Sequence, residues 1–556
     1  MNRLTSLLLF VMLVAMGLEN ANAQYRDSVV FAAMTDEMQR NINELQEEDK
    51  GAPFFISYSC DLSEATAISA SLGSIYYSSS YPYGATGVRV MVGDYDFNDE
   101  SLNATNNEYS YNSYNQPQVP IKEDYWGLRR IFWQATDRTY RSAAESFEDH
   151  KKLLEKEGLN IEDTPHRSFA KVEVVKSESK EHFLDVNKKE WEQKLEEYSA
   201  IFSEYSDLES SGCSFNTVST KHYFVTSEGT RIKTVKNLVE LSLYANMLAK
   251  NGEQMFQNQE YLVNSISELP SLDVIKEDIM KLRFQLLERQ SALEYDDEYE
   301  GPILLEGQAV ASFINTTLGG YLMANTSVKN PSDEYGYTYK STSIEDEIDE
   351  IYTNELVSIT IKPSMKFYGE QPLIGAYEYD NEGVMPVQEL LQIEKGILRE
   401  LRCTRTISKE SHIPTGTSNG PGVIISDVEK TMAYSKMKKK LIKTAKSNKL
   451  DYAIIIRNQN SSGANAIRQV FQVDLKTGDE TLLDGAVVNG LDRSGIDELA
   501  FGSEEKVAYN VSNSYSGDVV SCIAPKAVFI NEINLSAETM SFKAEPSLVQ
   551  NPLRNN

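Results

Sequence analysis

The stretch from Gln371 to Gly420 most constrains what this chain can fold into. Tyr377 and Tyr379 alternate with Glu378 and Asp380, the two-residue period of a strand. Asp380-Asn381-Glu382-Gly383 follows, where Asp and Asn tolerate tight bends and Gly383 accepts positive φ. The apolar runs Leu390 to Ile393 and Ile397 to Leu401 flank Glu394-Lys395-Gly396, a hairpin pattern. Pro414-Thr415-Gly416 and Thr417 to Gly422 then form a glycine-rich polar loop that suits neither helix nor central strand. The expectation is a β-meander with an exposed loop.

The 556 residues exceed one ordinary core, so two or three domains are expected. Residues 1–23 read as a secretory signal: Arg3 at the start, an apolar run from Leu7 to Met16, and Ala21-Asn22-Ala23 ahead of the cut. That run is about half the length a membrane span needs. The mature protein is expected to be exported, periplasmic or extracellular, with no membrane association. The net charge is −29, and loss of Arg3 and Glu19 with the leader leaves it unchanged. Such a chain repels phosphate backbones, which argues against nucleic acid as a partner. Cys60, Cys213, Cys403 and Cys522 have no metal-site spacing and read as buried thiols or one disulfide.

In chain order, Val30, Met34, Met38, Ile42 and Leu45 mark an amphipathic helix. Phe54 to Tyr58, Thr66 to Ser71 and Gly87 to Tyr95 read as separate strands, and Asn103 to Gln118 as an exposed loop or lid. Helices are expected over Trp126 to Phe147 and Trp191 to Leu208, with charged surface over Lys151 to Asp163. Lys221 to Thr230 is a strand entering a turn, with His222 a surface histidine. A helix carrying Val274, Ile275, Ile279, Leu282, Leu286 and Leu293 follows, then an acidic, solvated linker from Glu294 to Glu300. Gly301 to Leu305 reads as a strand running into a helix, and Val428 to Leu450 as a lysine-rich helix with a solvated face. Ala453 to Arg457, Gln469 to Leu475 and Ala527 to Leu535 read as strands. The fold class expected is α+β: an N-terminal α+β domain and a C-terminal domain on an extensive, mostly antiparallel sheet with flanking helices. The divisions are 1–23, 24–215, 216–300 (a strand–helix segment and linker) and 301–545.

The order Asp380-x-Glu382-Gly383-Val384, Leu391-x-Ile393-Glu394-x-Gly396-Ile397-Leu398, Pro414-Thr415-Gly416 resembles the C-terminal domain of the TldD/PmbA family, metallopeptidases and their metal-free partner subunits. Pro53 to Tyr58 and Gly87 to Tyr95 resemble the N-terminal domain of exported relatives. Catalytic members carry His-Glu-x-x-x-His on a helix. Two histidines hold a divalent metal and the Glu deprotonates water. The resemblance through Gly301 to Leu305 puts the first His on Gly307, the Glu on Gln308 and the second His on Ser312. Gly has no ligand atom, Gln is no base and Ser is a poor zinc ligand.

The chain has five histidines, His150, His166, His182, His222 and His412, and no two share a helix face by spacing. The resemblance therefore implies a pseudoenzyme. No cofactor is expected in this chain, and zinc or another divalent metal only in a catalytic TldD-like partner. Partners would be that subunit or a second copy, and an unfolded peptide. The expected substrate-binding residues are Gly307, Gln308, Ser312, Asp380, Glu382, Gly383, Pro414, Thr415 and Gly416, with no catalytic or metal residues. The alternatives are an active peptidase with scattered ligands such as His412, Glu394 and Cys403, or a stand-alone peptide-binding or structural protein.

Overall fold

The computed structural model describes residues 27–102, 124–164, 166–248, 254–319, 322–324, 344–408, 414–418, 420–458, 468–512, 519–537 and 551–555. The leader, the loop expected over Asn103 to Gln118 and His412 lie outside them. The fold is α+β, as the sequence suggests.

The N-terminal half is built on very long strands. Strands β1 (Pro53–Ser71) and β2 (Ser74–Val92) form one hairpin closed at Leu72 and Gly73, both at positive φ. The three strands expected separately are therefore ends of a single ribbon. Two short strands, β3 (Arg167–Phe169) and β4 (Lys176–Glu178), follow. β5 (Ser210–Thr226), β6 (Arg231–Leu248) and β7 (Gln254–Val263) complete the sheet, in the order β2-β1-β5-β6, with β4 and β7 both on β6.

Four helices cover one face of this sheet: α1 (27–44), α2 (Tyr125–Glu157), α3 (Lys188–Ala200) and α4 (Leu272–Gln290). Strand alternation explains the division. Ile56, Tyr58, Cys60, Ile68 and Ala70 of β1 are fully buried under the helices. Ser57, Ser59, Asp61, Ser63, Ala65, Ala67 and Ser69 point the other way, where Tyr77, Tyr81 and Tyr83 of β2 stand exposed beside them. α2 runs ten residues past the expected Phe147 and absorbs much of the charged segment, ending at Gly158 in the left-handed region. In α4, Ile275, Ile279, Leu282 and Leu286 are buried as expected, but Val274 is exposed.

The C-terminal half stacks two sheets. β8 (Leu293–Glu294) and β9 (Tyr299–Glu306) occupy the segment expected to be a solvated linker. Tyr295 and Tyr299 are buried there, and this apolar pair draws the acidic run into the sheet. β9 sits inside a nine-stranded sheet, between parallel Tyr452–Asn458 and antiparallel Ala527–Ala537. A six-stranded sheet contains Leu390–Glu394, Val357–Ile361, Val423–Val428 and Val519–Pro525. Ile303 and Leu305 of β9 pack with α5 (Gln308–Ile314) and the six-stranded sheet in one core. Leu304, on the opposite face, packs under α6 (Tyr434–Ser447). The helix expected from Val428 is shorter because Val423–Val428 is strand.

All four cysteines are buried and unpaired. Among the described residues no helix is long and apolar enough to cross a membrane.

Candidate functional site

Two groups of the expected site residues occupy two separate environments. The first is the Asp380–Gly383 turn with the 414–418 loop. Asp380 accepts hydrogen bonds from Glu382 N (3.0 Å), Val384 N (2.9 Å) and Ser418 N (3.1 Å). Burial pushes its carboxyl above the usual range. Gly383 has φ +73°, as the turn chemistry requires. The segment Tyr377 to Asp380 is not a strand. The Tyr377 hydroxyl instead donates to Gly416 O (3.2 Å) or Gly420 O (2.9 Å) and pins the turn to the loop.

The loop expected to be exposed is largely buried, Thr415 at 7% and Thr417 at 0%. Its polarity is spent internally: Thr415 Oγ1 accepts from Cys403 N at 2.8 Å and lies 2.6 Å from Thr417 Oγ1. Pro414 is only half-buried.

Glu382 joins the two halves of the chain. Its carboxylate accepts from Arg89 of β2 at 2.6 Å and from Arg405 N at 2.6 Å. Arg89 is also held by Glu100 and donates to Thr406 Oγ1 (2.8 Å). Arg405 is 1% exposed and forms a bidentate pair with Glu228 at 2.8 Å on each arm, over the Phe169 ring at 4.0 Å. Beside it Thr406–Ser408 pairs with β3. A Cβ on Gly383 would lie 2.7 Å from the Phe224 ring of β5. Burial raises the Glu382 carboxyl. Burial also opposes charge on Glu100, but Arg89 outweighs it and holds that carboxyl low. Sequence spacing carries no signal for this joint, because its partners are far apart along the chain.

The second group is the turn from β9 into α5. Gly307 caps α5 at φ 65° and ψ −137°, and its N–H donates to Lys526 O at 2.8 Å. A side chain there would find space, with only Tyr509 Oη at 3.7 Å, but would be strained by the backbone. Gln308 and Ser312 are half-buried on α5. Glu306, 7% exposed, accepts from Arg457 Nε at 2.7 Å. Arg457 also donates to Glu480 at 2.7 Å, and Lys438 of α6 reaches Glu480 at 2.6 Å. Burial opposes charge on Glu480, but Arg457 and Lys438 outweigh it and keep the carboxyl below its ordinary range.

This donor set does not fit a divalent metal. The one carboxylate at the turn is engaged by a guanidinium, and positions 307, 308 and 312 offer Gly, Gln and Ser. The scattered alternative gains no support. Glu394 is bound to Arg399 at 3.0 Å, and burial pushes the Cys403 thiol up to about 11. Cys522 lies inside a core strand, its thiol pushed up to about 12 by burial. The His222 imidazole is on the helix-free sheet face, 2.6 Å from Asp61, a pairing spacing alone could not reveal.

Comparison with known proteins follows the same division. Residues 298–495 match the model of the PmbA/TldA metallopeptidase C-terminal domain. No curated protein matches the chain. Among solved structures, a protein from Thermotoga maritima described as a modulator of a DNA gyrase is 13% identical, with a TM-score of 0.54 over 87% of this chain and 96% of its own. A Bacteroides thetaiotaomicron protein described as a modulator of DNA gyrase is 11% identical, with a TM-score of 0.54 over 92% of this chain and 98% of its own. TldE from Thermococcus kodakarensis is 10% identical, with a TM-score of 0.51 over 91% of this chain and 100% of its own. These three share the fold of nearly the whole chain, and residues 298–495 are similar to the C-terminal domain of the PmbA/TldA metallopeptidases.

Proposed function

We propose that this chain is a non-catalytic, peptide-binding subunit of an exported TldD/PmbA-type peptidase. The observation that carries the reading is the β9–α5 turn. Where catalytic relatives would hold a metal, Gly307, Gln308 and Ser312 supply no imidazole or carboxylate, and Glu306 is tied to Arg457 at 2.7 Å. Half-buried Ser312 can still offer its hydroxyl to a peptide backbone. The Asp380–Gly383 turn and the 414–416 segment, in their separate environment, would brace the two halves of the chain through Glu382 rather than meet substrate. Export rests on the leader read at residues 1–23.

The test is hydrolysis of an unfolded polypeptide by the purified chain, alone with added zinc and then with a relative that bears His-Glu-x-x-x-His. No turnover alone and turnover above the relative's own level together are expected. Zinc-dependent hydrolysis by this chain alone would overturn the proposal, and a relative indifferent to its presence would remove the subunit role.

A further inference from the structure

We infer that the surface where α1 meets the N-terminal half of α2 is a docking site for an acidic polypeptide segment. The chain has three tryptophans. Trp191 is buried, its ring stacked 3.8 Å from that of Phe215. Trp126 and Trp133 are instead 70% and 48% exposed. They lie two turns apart along α2, about 10 Å on one side of the helix. Together with Glu37, Arg40, Arg129 and Arg130 they line a shallow, open depression of 340 Å³.

The cations are held for recognition from outside. Glu37 is 2% exposed and receives both the Arg40 guanidinium and Arg129, the latter at 2.9 Å. Arg129 also donates to the Tyr125 hydroxyl at 3.2 Å and lies 5.4 Å from the Trp126 ring centre. One carboxylate thus fixes two guanidiniums and leaves a positive excess. Arg130 is exposed and has no ion pair or hydrogen bond among the described residues. Of the nearby carboxylates, Asp36 accepts from the Tyr125 hydroxyl at 2.6 Å, Asp124 from the α2 N–H groups of Trp126 and Gly127, and exposed Glu44 acts on Arg40 through space.

In a chain of net charge −29, three arginines against one carboxylate around two open indoles are out of keeping with the rest of the surface. Trp and Arg are the residues that carry binding energy at protein interfaces, whereas Lys and Glu are depleted there. The lysines of α6 differ in kind, being hydrated point charges, and serve as a solvated face. An extended acidic chain matches the depression: its carboxylates meet Arg130 and Arg40, and its apolar atoms lie on the indoles. The inference does not depend on the state of the β9–α5 turn.

Intrinsic fluorescence reads this site directly, because two of the three indoles line it. The full chain is titrated with a ten-residue peptide of alternating Glu and Leu, with its Gln-for-Glu counterpart, and with vesicles of anionic phospholipid. The acidic peptide alone is expected to shift the emission, with an affinity that falls as salt rises. Arg130→Glu, at an exposed position, is expected to keep the wild-type circular dichroism and weaken binding about ten-fold. Trp133→Phe should retain most of the binding and Trp133→Ala should lose it. Equal binding of both peptides, no binding of either, an unchanged affinity in Arg130→Glu, or a response only to vesicles would each overturn the inference.

Discussion

At the junction, Glu382 and Glu228 hold Arg89 and Arg405, and Arg405 is 1% exposed; at the β9–α5 turn, Glu306 and Glu480 hold Arg457, which is 33% exposed. Both places were candidates for substrate contact, and in both the carboxylates are committed to guanidinium groups. Depth separates them. A buried, bidentate pair cannot be opened without leaving charge in a low-dielectric interior. A partly solvated pair is screened and can exchange partners. The junction is therefore a fixed joint between the two halves of the chain, and the turn is the softer of the two places.

The contrast can be broken most severely at Arg405. Arg405→Met removes both arms from Glu228 and the donors from Ala170 O, and should cost about 3–5 kcal/mol. Urea unfolding would show it, and a loss near zero would mean that the joint is soft. Gly383→Ala comes next. Its φ of +73° and the Phe224 ring at 2.7 Å predict a loss of about 2–3 kcal/mol in the same assay. Arg457→Met should cost only about 1–2 kcal/mol, because solvent screens its pairs and the Tyr434 hydroxyl remains near Glu306. If it destabilised as much as Arg405→Met, the distinction by depth would fail.

Acid titration gives the finest separation. The Glu480 carboxyl is held below its ordinary value, so its contribution is complete above about 4.5 and is lost as pH falls through the folded value. Asp380 and Glu382 are raised, so their contribution is present at low pH and is lost as pH rises through their folded values. Glu480→Gln should flatten the acid limb of stability by less than about 1 kcal/mol. A variant whose acid limb matches that of the wild type would show that the Arg457 pair carries no linkage.

The parts legible in the sequence are those fixed within a few residues. Gly383 and the Leu390–Glu394 to Ile397–Leu398 hairpin follow from turn chemistry, with Lys395 and Gly396 at positive φ. The 27–44 helix and the α4 stripe follow from apolar period. What was missed depends on distant partners. Nothing near Arg405 announces Glu228, and nothing near Asp61 announces His222. The strands β6 and β7 were not recognised, since β6 carries charged residues such as Arg231, Lys233 and Lys236. The 414–418 loop reads as surface because its composition is polar, and only Tyr377, Asp380 and Cys403 explain how that polarity is satisfied in the interior.

The position of β9 also sets an order of events in biosynthesis. Its neighbours are Tyr452–Asn458 and Ala527–Ala537, so a strand made early is completed on its far side by one made almost last. At about 5–20 residues per second the nascent chain would wait tens of seconds with Ile303, Leu304 and Leu305 unpaired along that margin. Ribosome stalling or a stop codon before residue 527 would then leave an open, apolar sheet margin, a form suited to capture by chaperones or to clumping rather than to partial activity.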